Sequence, residues 1–267
     1  MDHFVDERDY KLLDDDKYTF FVLGRIMGEN CRVLLTDHER MILCHSEYPY
    51  PVWIWTPDDA TEEEMDAIYK IVNEEFPWSE GFTFNLKYDL AEYLIKRAKV
   101  DGTDISISMN MFAYDCPNPI KPNSIVDGKI HECTMDDVDE IVGIYNHFAG
   151  ETGIEKQSAD DYRNKAEDLV KNKNAFLWED GAGKHIASCI YRPNGELASL
   201  GLVYTREEYR RRHYAENLVY LVTKRAQDEG YMPMLYTNAD YIASNSCYEK
   251  LGYILRGKLC TVSASKE

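Results

Sequence analysis

At 267 residues, 44% of them apolar, the chain can build one large domain or two modest ones, each with its own core. Its 30 Lys+Arg against 48 Asp+Glu give a formal net charge of −18, which repels phosphate and excludes general binding to nucleic acid or an anionic membrane. The acid excess is concentrated in the first half, and the basic residues gather in the second.

The opening MDHFVDERDYKLLDDD has neither the basic start nor the apolar stretch of a signal peptide. No apolar run approaches membrane-spanning length, so a soluble, cytoplasmic protein is expected. Further on, RVLLT and MILCHS read as paired strands and PVWIW as a third. Thr61 with Glu64 forms a capping box, and Met65, Ile68, Tyr69 and Val72 follow at helical spacing. GFTFNL resumes a strand, YDLAEYLIKRA a helix, and DISISMNMFAY a strand of period two. Trp53, Trp55 and Trp78 are expected to pack in a core or interface.

The stretch YDCPNPIKPNSIVDGK, Tyr114 to Lys129, has the proline and asparagine content of a connection rather than an element interior. The expected division is an α/β domain over 1–120, a linker over 121–128 and a second domain over 129–267. After the boundary come a strand KIHEC, a helix capped by Thr134 and a helix capped by Ser158. The runs NAFLWE, HIASCIYRP and GELASLGLVYT read as successive strands joined by hairpin turns. A long helix over Arg211–Glu229, a strand MPMLYTN, a short helix ending at Gly252 and a last strand YILRGKLCTV complete the chain. The pattern is an α+β layer fold around a mixed sheet.

Seven cysteines (Cys31, Cys44, Cys116, Cys133, Cys189, Cys247, Cys260) form no Cys-x-x-Cys pair and no zinc-spaced cluster with histidine. Packing thiols and no metal are expected. His147 stands alone on its helix, and GAGK at Gly181–Lys184 lacks the spacing of a phosphate-binding loop.

The segment EEYRRRHYAENL, Glu207 to Leu218, sets three arginines where a strand gives way to a helix. Free N–H groups and the positive end of the helix dipole make such a junction a site for phosphate, and Arg210, Arg211 and Arg212 would add charge. The alternative is a solvated cluster balancing Glu207, Glu208 and nearby acids.

The strand order, this junction and the later NADYIASNSCYEKLGY together resemble the GNAT acetyltransferase superfamily over roughly residues 129–262. Arg210 and Ala215 match the first and last positions of its Gln/Arg-x-x-Gly-x-Gly/Ala signature, whereas His213 stands in place of glycine. The resemblance implies a GNAT-like mixed β-sheet flanked by helices, preceded by a second α/β domain that could be a degenerate copy. It implies acetyl-CoA as cosubstrate and direct acetyl transfer to a primary amine in a ternary complex. The pyrophosphate would lie on Arg210, Arg211, Arg212, His213, Tyr214 and Ala215. Val203, Tyr204 and Thr205 match the strand that pairs with pantetheine, and Asn238, Asn245 and Ser246 match further contacts. Tyr248 would protonate the leaving thiolate, since a phenol near pKa 10 suits a thiol near 8.5.

Glu196 is a candidate general base, beside a water-relayed path. A small-molecule or peptide amine is the expected acceptor, with neither nucleic acid nor membrane as partner, and the chain is expected as a monomer or homodimer. Nearby carboxylates of the first half would form one wall of the acceptor cleft. A catalytically silent acyl-CoA-binding or regulatory module is the alternative.

Overall fold

A computed structural model of the chain describes residues 1–29, 31–152 and 156–265. In chain order the elements are α1 (Glu7–Leu12), α2 (Phe21–Ile26), β1 (Val33–Thr36), β2 (Ile42–His45), β3 (Val52–Trp55), α3 (Glu62–Glu75), β4 (Phe84–Leu86), α4 (Tyr88–Val100) and β5 (Ile105–Asp115). They continue with β6 (Lys129–Glu132), α5 (Val138–Thr152), α6 (Ala159–Lys171), β7 (Ala175–Glu179) and β8 (His185–Asn194). The last are β9 (Leu197–Thr205), α7 (Tyr214–Asp228), β10 (Met232–Asn238), α8 (Ile242–Lys250) and β11 (Ile254–Ala264). Among the described residues no helix is long and apolar enough to cross a membrane.

The chain divides into two compact units. The first comprises Met1–Ala113 with two returning segments, Thr237–Tyr241 and Leu255 onward; the second comprises Tyr114–Tyr236 and Ile242–Ile254. This differs from the contiguous domains expected from composition. The physical reason is that most of the last strand pairs within the first unit, β11 lying antiparallel to β4 through Cys260↔Leu86. The expected linker at 121–128 is also no free connection. Asp127 accepts hydrogen bonds from the Tyr214 hydroxyl, the Gly181 amide and, on its carbonyl, the Trp178 indole, all within the second unit.

The same order of elements is traversed twice. From α1 to β5, and again from α5 to β11, the chain runs α-α-β-β-β-α-β-α-β. Pairing repeats as well: β1–β2 and β2–β3 are antiparallel and β3–β4 parallel, as are β7–β8, β8–β9 and β9–β10 in turn. Within the first unit α3 starts on the expected Thr61–Glu64 capping box and buries Ile68, Tyr69 and Val72. These pack with Leu43, Ile54, Phe84 and Leu90 into one apolar core. Trp53, Trp55 and Trp78 are buried, as expected for packing residues. In the second unit Ile141 and Ile144 of α5 and Ala166 and Leu169 of α6 close over Leu177 and Ile190 of the sheet.

Candidate active site

Strands β9 and β10 share register from Leu197↔Met232 to Leu200↔Leu235, yet β9 continues to Thr205. Past Leu200 the two strands part, so Val203, Tyr204 and Thr205 have no β10 partner among the described residues. Unpaired backbone groups of this kind demand another partner, water or ligand. The parting has a local cause. On the opposite edge the β8–β9 register slips between Ser188 and Ile190, and Leu202 takes φ +47°. This is a bulge, which bends a strand and sharpens its twist. The buried Ser188 hydroxyl donates to the Leu202 carbonyl at 2.7 Å and fixes it.

Beyond β9 a tight turn over Glu207–Tyr209 leads into the arginines, and α7 begins at Tyr214. Arg211 (φ +59°) and His213 (φ +64°) are both left-handed, on either side of Arg212. Alternation of this sort gathers successive N–H groups into an anion-binding nest. Among the described residues no amide from Arg211 to Glu216 meets an acceptor; the first to do so is Asn217, on the His213 carbonyl at 3.1 Å. His213 provides no side-chain cap. The N-terminus of α7, carrying about half a positive charge, is therefore bare.

His213 keeps the backbone conformation that a glycine would adopt freely, and its imidazole turns aside to Glu216, Nδ1 to Oε2 at 2.6 Å. A left-handed non-glycine residue costs about 1–2 kcal/mol. His213→Gly is expected to raise stability by about 1 kcal/mol, a thermal midpoint about 2–4 °C higher, without loosening the loop. A fall in the midpoint by calorimetry would contradict this account of the loop.

The three arginines differ. Arg210 is already engaged: Nε donates to the Thr205 carbonyl at 2.9 Å, and Nη2 meets both Glu151 oxygens at 2.5 and 2.7 Å. Its guanidinium lies over the Tyr204 ring at 5.8 Å, so it fastens the end of β9 to α5. Arg211 and Arg212 are exposed and form no salt bridge among the described residues. Tyr214 is buried with its hydroxyl on Asp127 at 2.5 Å, which leaves its backbone N–H, like that of Ala215, for a ligand.

On α8, Asn245 and Tyr248 are buried and Ser246 is half-buried. The Tyr248 ring packs edge-on against Tyr253 at 5.8 Å, and Tyr253 is in turn hydrogen-bonded to Thr223 of α7 at 2.6 Å. Burial, with Cys189 and Cys247 nearby, pushes the Tyr248 phenol well above its usual pKa near 10. No hydrogen-bond partner meets its hydroxyl among the described residues.

The other two expected residues are Asn238 and Glu196. Asn238 belongs to the first unit, where its Oδ1 accepts from the Asp240 amide at 2.9 Å and closes a turn. Glu196 is exposed in the β8–β9 turn, its carbonyl accepting from the Met232 amide at 2.8 Å. At ~3.3 Å per strand residue it lies about 30 Å from Thr205, at the other end of β9 from the arginine junction. Sequence reasoning missed Ser188, Asp127 and Glu151, which hold the bulge and the loop.

The counterpart junction in the first unit is chemically opposite. After β3, the start of α3 is closed by Thr61 and Glu64, whose carboxylate accepts from the Thr61 amide at 2.7 Å. Asp58, Asp59, Glu62 and Glu63 adjoin it in sequence, and Arg40 is taken up by Asp59 at 2.9 Å and Glu64 at 2.5 Å. Lys87 nearby is held by Asp16 at 2.7 Å and Asp58 at 2.6 Å. Such a helix start repels an anion.

Comparison with known proteins agrees on architecture. Residues 177–262 match the family described as FR47-like protein. The fold is similar to that of a GNAT-family acetyltransferase from Colwellia psychrerythraea, at 12% identity and TM-score 0.60, covering 98% of each chain. It is also similar to a GCN5-related N-acetyltransferase from Kribbella flavida, at 11% identity and TM-score 0.63, covering 95% of this chain and 96% of that one. A third, from Sphaerobacter thermophilus, gives 11% identity and TM-score 0.60 over 79% and 71%. Among curated proteins no sequence matches.

Proposed function

From a GNAT acetyltransferase fold, we propose that this chain is an acetyl-CoA-dependent N-acetyltransferase acting on a primary amine. The observation that carries the reading is the junction itself: a strand parted from its neighbour and followed by unpartnered amides from Arg211 to Glu216, with Arg211 and Arg212 exposed beside them. A diphosphate fits those donors, and the free edge of Val203–Thr205 suits an amide-bearing pantetheine arm.

In this reading the amine nitrogen, neutral after losing its first proton to water, attacks the thioester carbonyl. The C–S bond breaks as the C–N bond forms, the departing sulfur takes a hydrogen bond, then a proton, from Tyr248, and the excess proton of the new amide nitrogen returns to the phenolate through water. Burial keeps that phenol protonated until the sulfur departs but makes it a weaker acid than a free phenol, so its hydrogen bond to the developing thiolate carries more of the stabilisation than the sequence expectation gave it. Holding the arm still removes much of the entropic barrier. The acceptor is a small-molecule or peptide amine.

Titration calorimetry with CoA tests the cosubstrate before any acceptor is known. Binding to the unaltered chain and a loss of about tenfold or more in R211A/R212A is the expected result. Equal affinity in the double variant sinks the diphosphate assignment. Binding without thiol release from acetyl-CoA over a broad amine panel makes the chain a silent acyl-CoA module instead.

A further inference from the structure

Three elements of the second unit bring metal-ligating side chains together that lie far apart in sequence. His131 stands on β6, His185 opens β8, and Asp137 and Glu140 flank the start of α5. The two imidazoles stack face to face, centroids 4.7 Å and planes 26° apart. His131 Nε2 meets Asp137 Oδ2 at 2.9 Å, and His185 Nδ1 meets Glu140 Oε2 at 2.7 Å.

A carboxylate can only accept, so each facing nitrogen carries the hydrogen. In the neutral His185 ring the lone pair then sits on Nε2, and a ligating histidine is oriented in this way, by a carboxylate such as Glu140 on its far nitrogen. At His131 an ion would take the place of the hydrogen shared by Nε2 and Asp137. Asp137 keeps capacity as well. Its Oδ2 is used by the ring and by the Thr134 amide and hydroxyl at 2.7 and 3.0 Å, while Oδ1 has no partner among the described residues. One donor atom from each of His131, Asp137 and His185 lies within 4.8 Å of the others. Bonds of about 2.0–2.2 Å in a tetrahedral site set ligands ~3.4 Å apart, so rotations closing about 1.5 Å suffice.

Exposure permits both the rotation and the entry of an ion: the side chains of His131, Asp137 and His185 are 27%, 13% and 18% exposed. Charge favours a cation too. Among the described residues the two carboxylates face one positive group in a salt bridge, Arg206, whose Nη2 meets Glu140 Oε1 at 3.0 Å and whose Nε donates to the His185 carbonyl at 2.7 Å. We propose that His131, Asp137 and His185 bind one divalent transition-metal ion, with water or Glu140 completing its coordination. Two imidazoles and a carboxylate suit zinc, cobalt, nickel or copper rather than calcium or magnesium. The expectation of no metal rested on sequence spacing, which cannot register a site assembled from separate strands. The proposal is independent of the acetyl-transfer reading.

The full chain, stripped with a chelator, is titrated with Co2+ and then Zn2+. One equivalent of Co2+ is expected to give visible bands of a four- or five-coordinate ion that Zn2+ abolishes. By calorimetry H131A, H185A and D137N are each expected to weaken Zn2+ binding at least tenfold, while H147A, on an exposed histidine, leaves it unchanged. If the alanine variants unfold by circular dichroism, the imidazole proton resonances of the unaltered chain decide: His131 and His185 shift with Zn2+. Static resonances, the absence of Co2+ bands, or undiminished Zn2+ affinity in a folded H131A/H185A chain overturns the site.

Discussion

Substituting phenylalanine for Tyr248 is expected to lower kcat for acetyl transfer about a hundredfold while leaving the KM for acetyl-CoA near its original value. A positioned acid contributes about 10²–10⁴ in rate, and its loss falls on the transition state rather than on ground-state binding. The substitution is clean because the ring keeps its edge-on contact with Tyr253. Its hydroxyl meets no partner among the described residues, so folding stability should be unaffected. Steady-state kinetics with any accepted amine, paired with a melting curve, provides the check. Unchanged kcat in a chain of unchanged stability removes Tyr248 from the mechanism.

The second large effect concerns stability alone. Asp9 on α1 is fully buried, and its carboxylate accepts from the Thr36 hydroxyl at 2.6 Å, from His38 Nδ1 at 2.7 Å and from the Asp6 amide at 2.9 Å. His38 reaches on through Nε2 to Asp2 at 3.0 Å, which ties the N-terminus to the end of β1. Asp9→Ala leaves the buried His38 Nδ1 without its acceptor, although the Thr36 hydroxyl keeps the Met41 carbonyl at 2.9 Å, and removal of one partner from a buried pair costs about 3–5 kcal/mol. At about 2–4 °C per kcal/mol the thermal midpoint should drop by roughly 10 °C. A midpoint within a degree of the parent would show that the network contributes little.

The same network predicts a pH dependence. The Asp9 hydrogen bond, outweighing burial, raises His38 above the ordinary imidazole value of 6.5. A raised folded pKa means that the folded chain binds the proton more tightly, so this stabilisation is complete below the unfolded pKa. It is lost as pH rises through the folded one.

Local signals were legible and distant ones were not. Thr61, Glu64 and the apolar stripe behind them lie within a few turns of one helix, so spacing alone revealed α3. Helix α1 carries a capping box too, Asp6 with Asp9, but a six-residue helix has too few turns to display periodicity. The proline-rich run before β6 looked like a tether because composition says nothing of Asp127 being claimed by Tyr214, Gly181 and Trp178. The return of β11 to pair with β4 is a contact of long sequence separation, invisible to any window. At the junction, the arginines and the following helix were readable; that Arg210 would be spent on Glu151 was not. That Glu196 lies at the other end of β9 from the arginines could have been foreseen, since an extended strand holds its two ends far apart.

The repeated architecture solves the problem of starting a helix in two ways. Where threonine and glutamate close α3, the fold is self-sufficient whatever the solution contains. Where α7 is left open, its first amides stay available to a guest. If that guest is a nucleotide, mass action makes the firmness of one portion of the polypeptide track metabolite supply. One chain then carries both a built-in reference and a responsive counterpart.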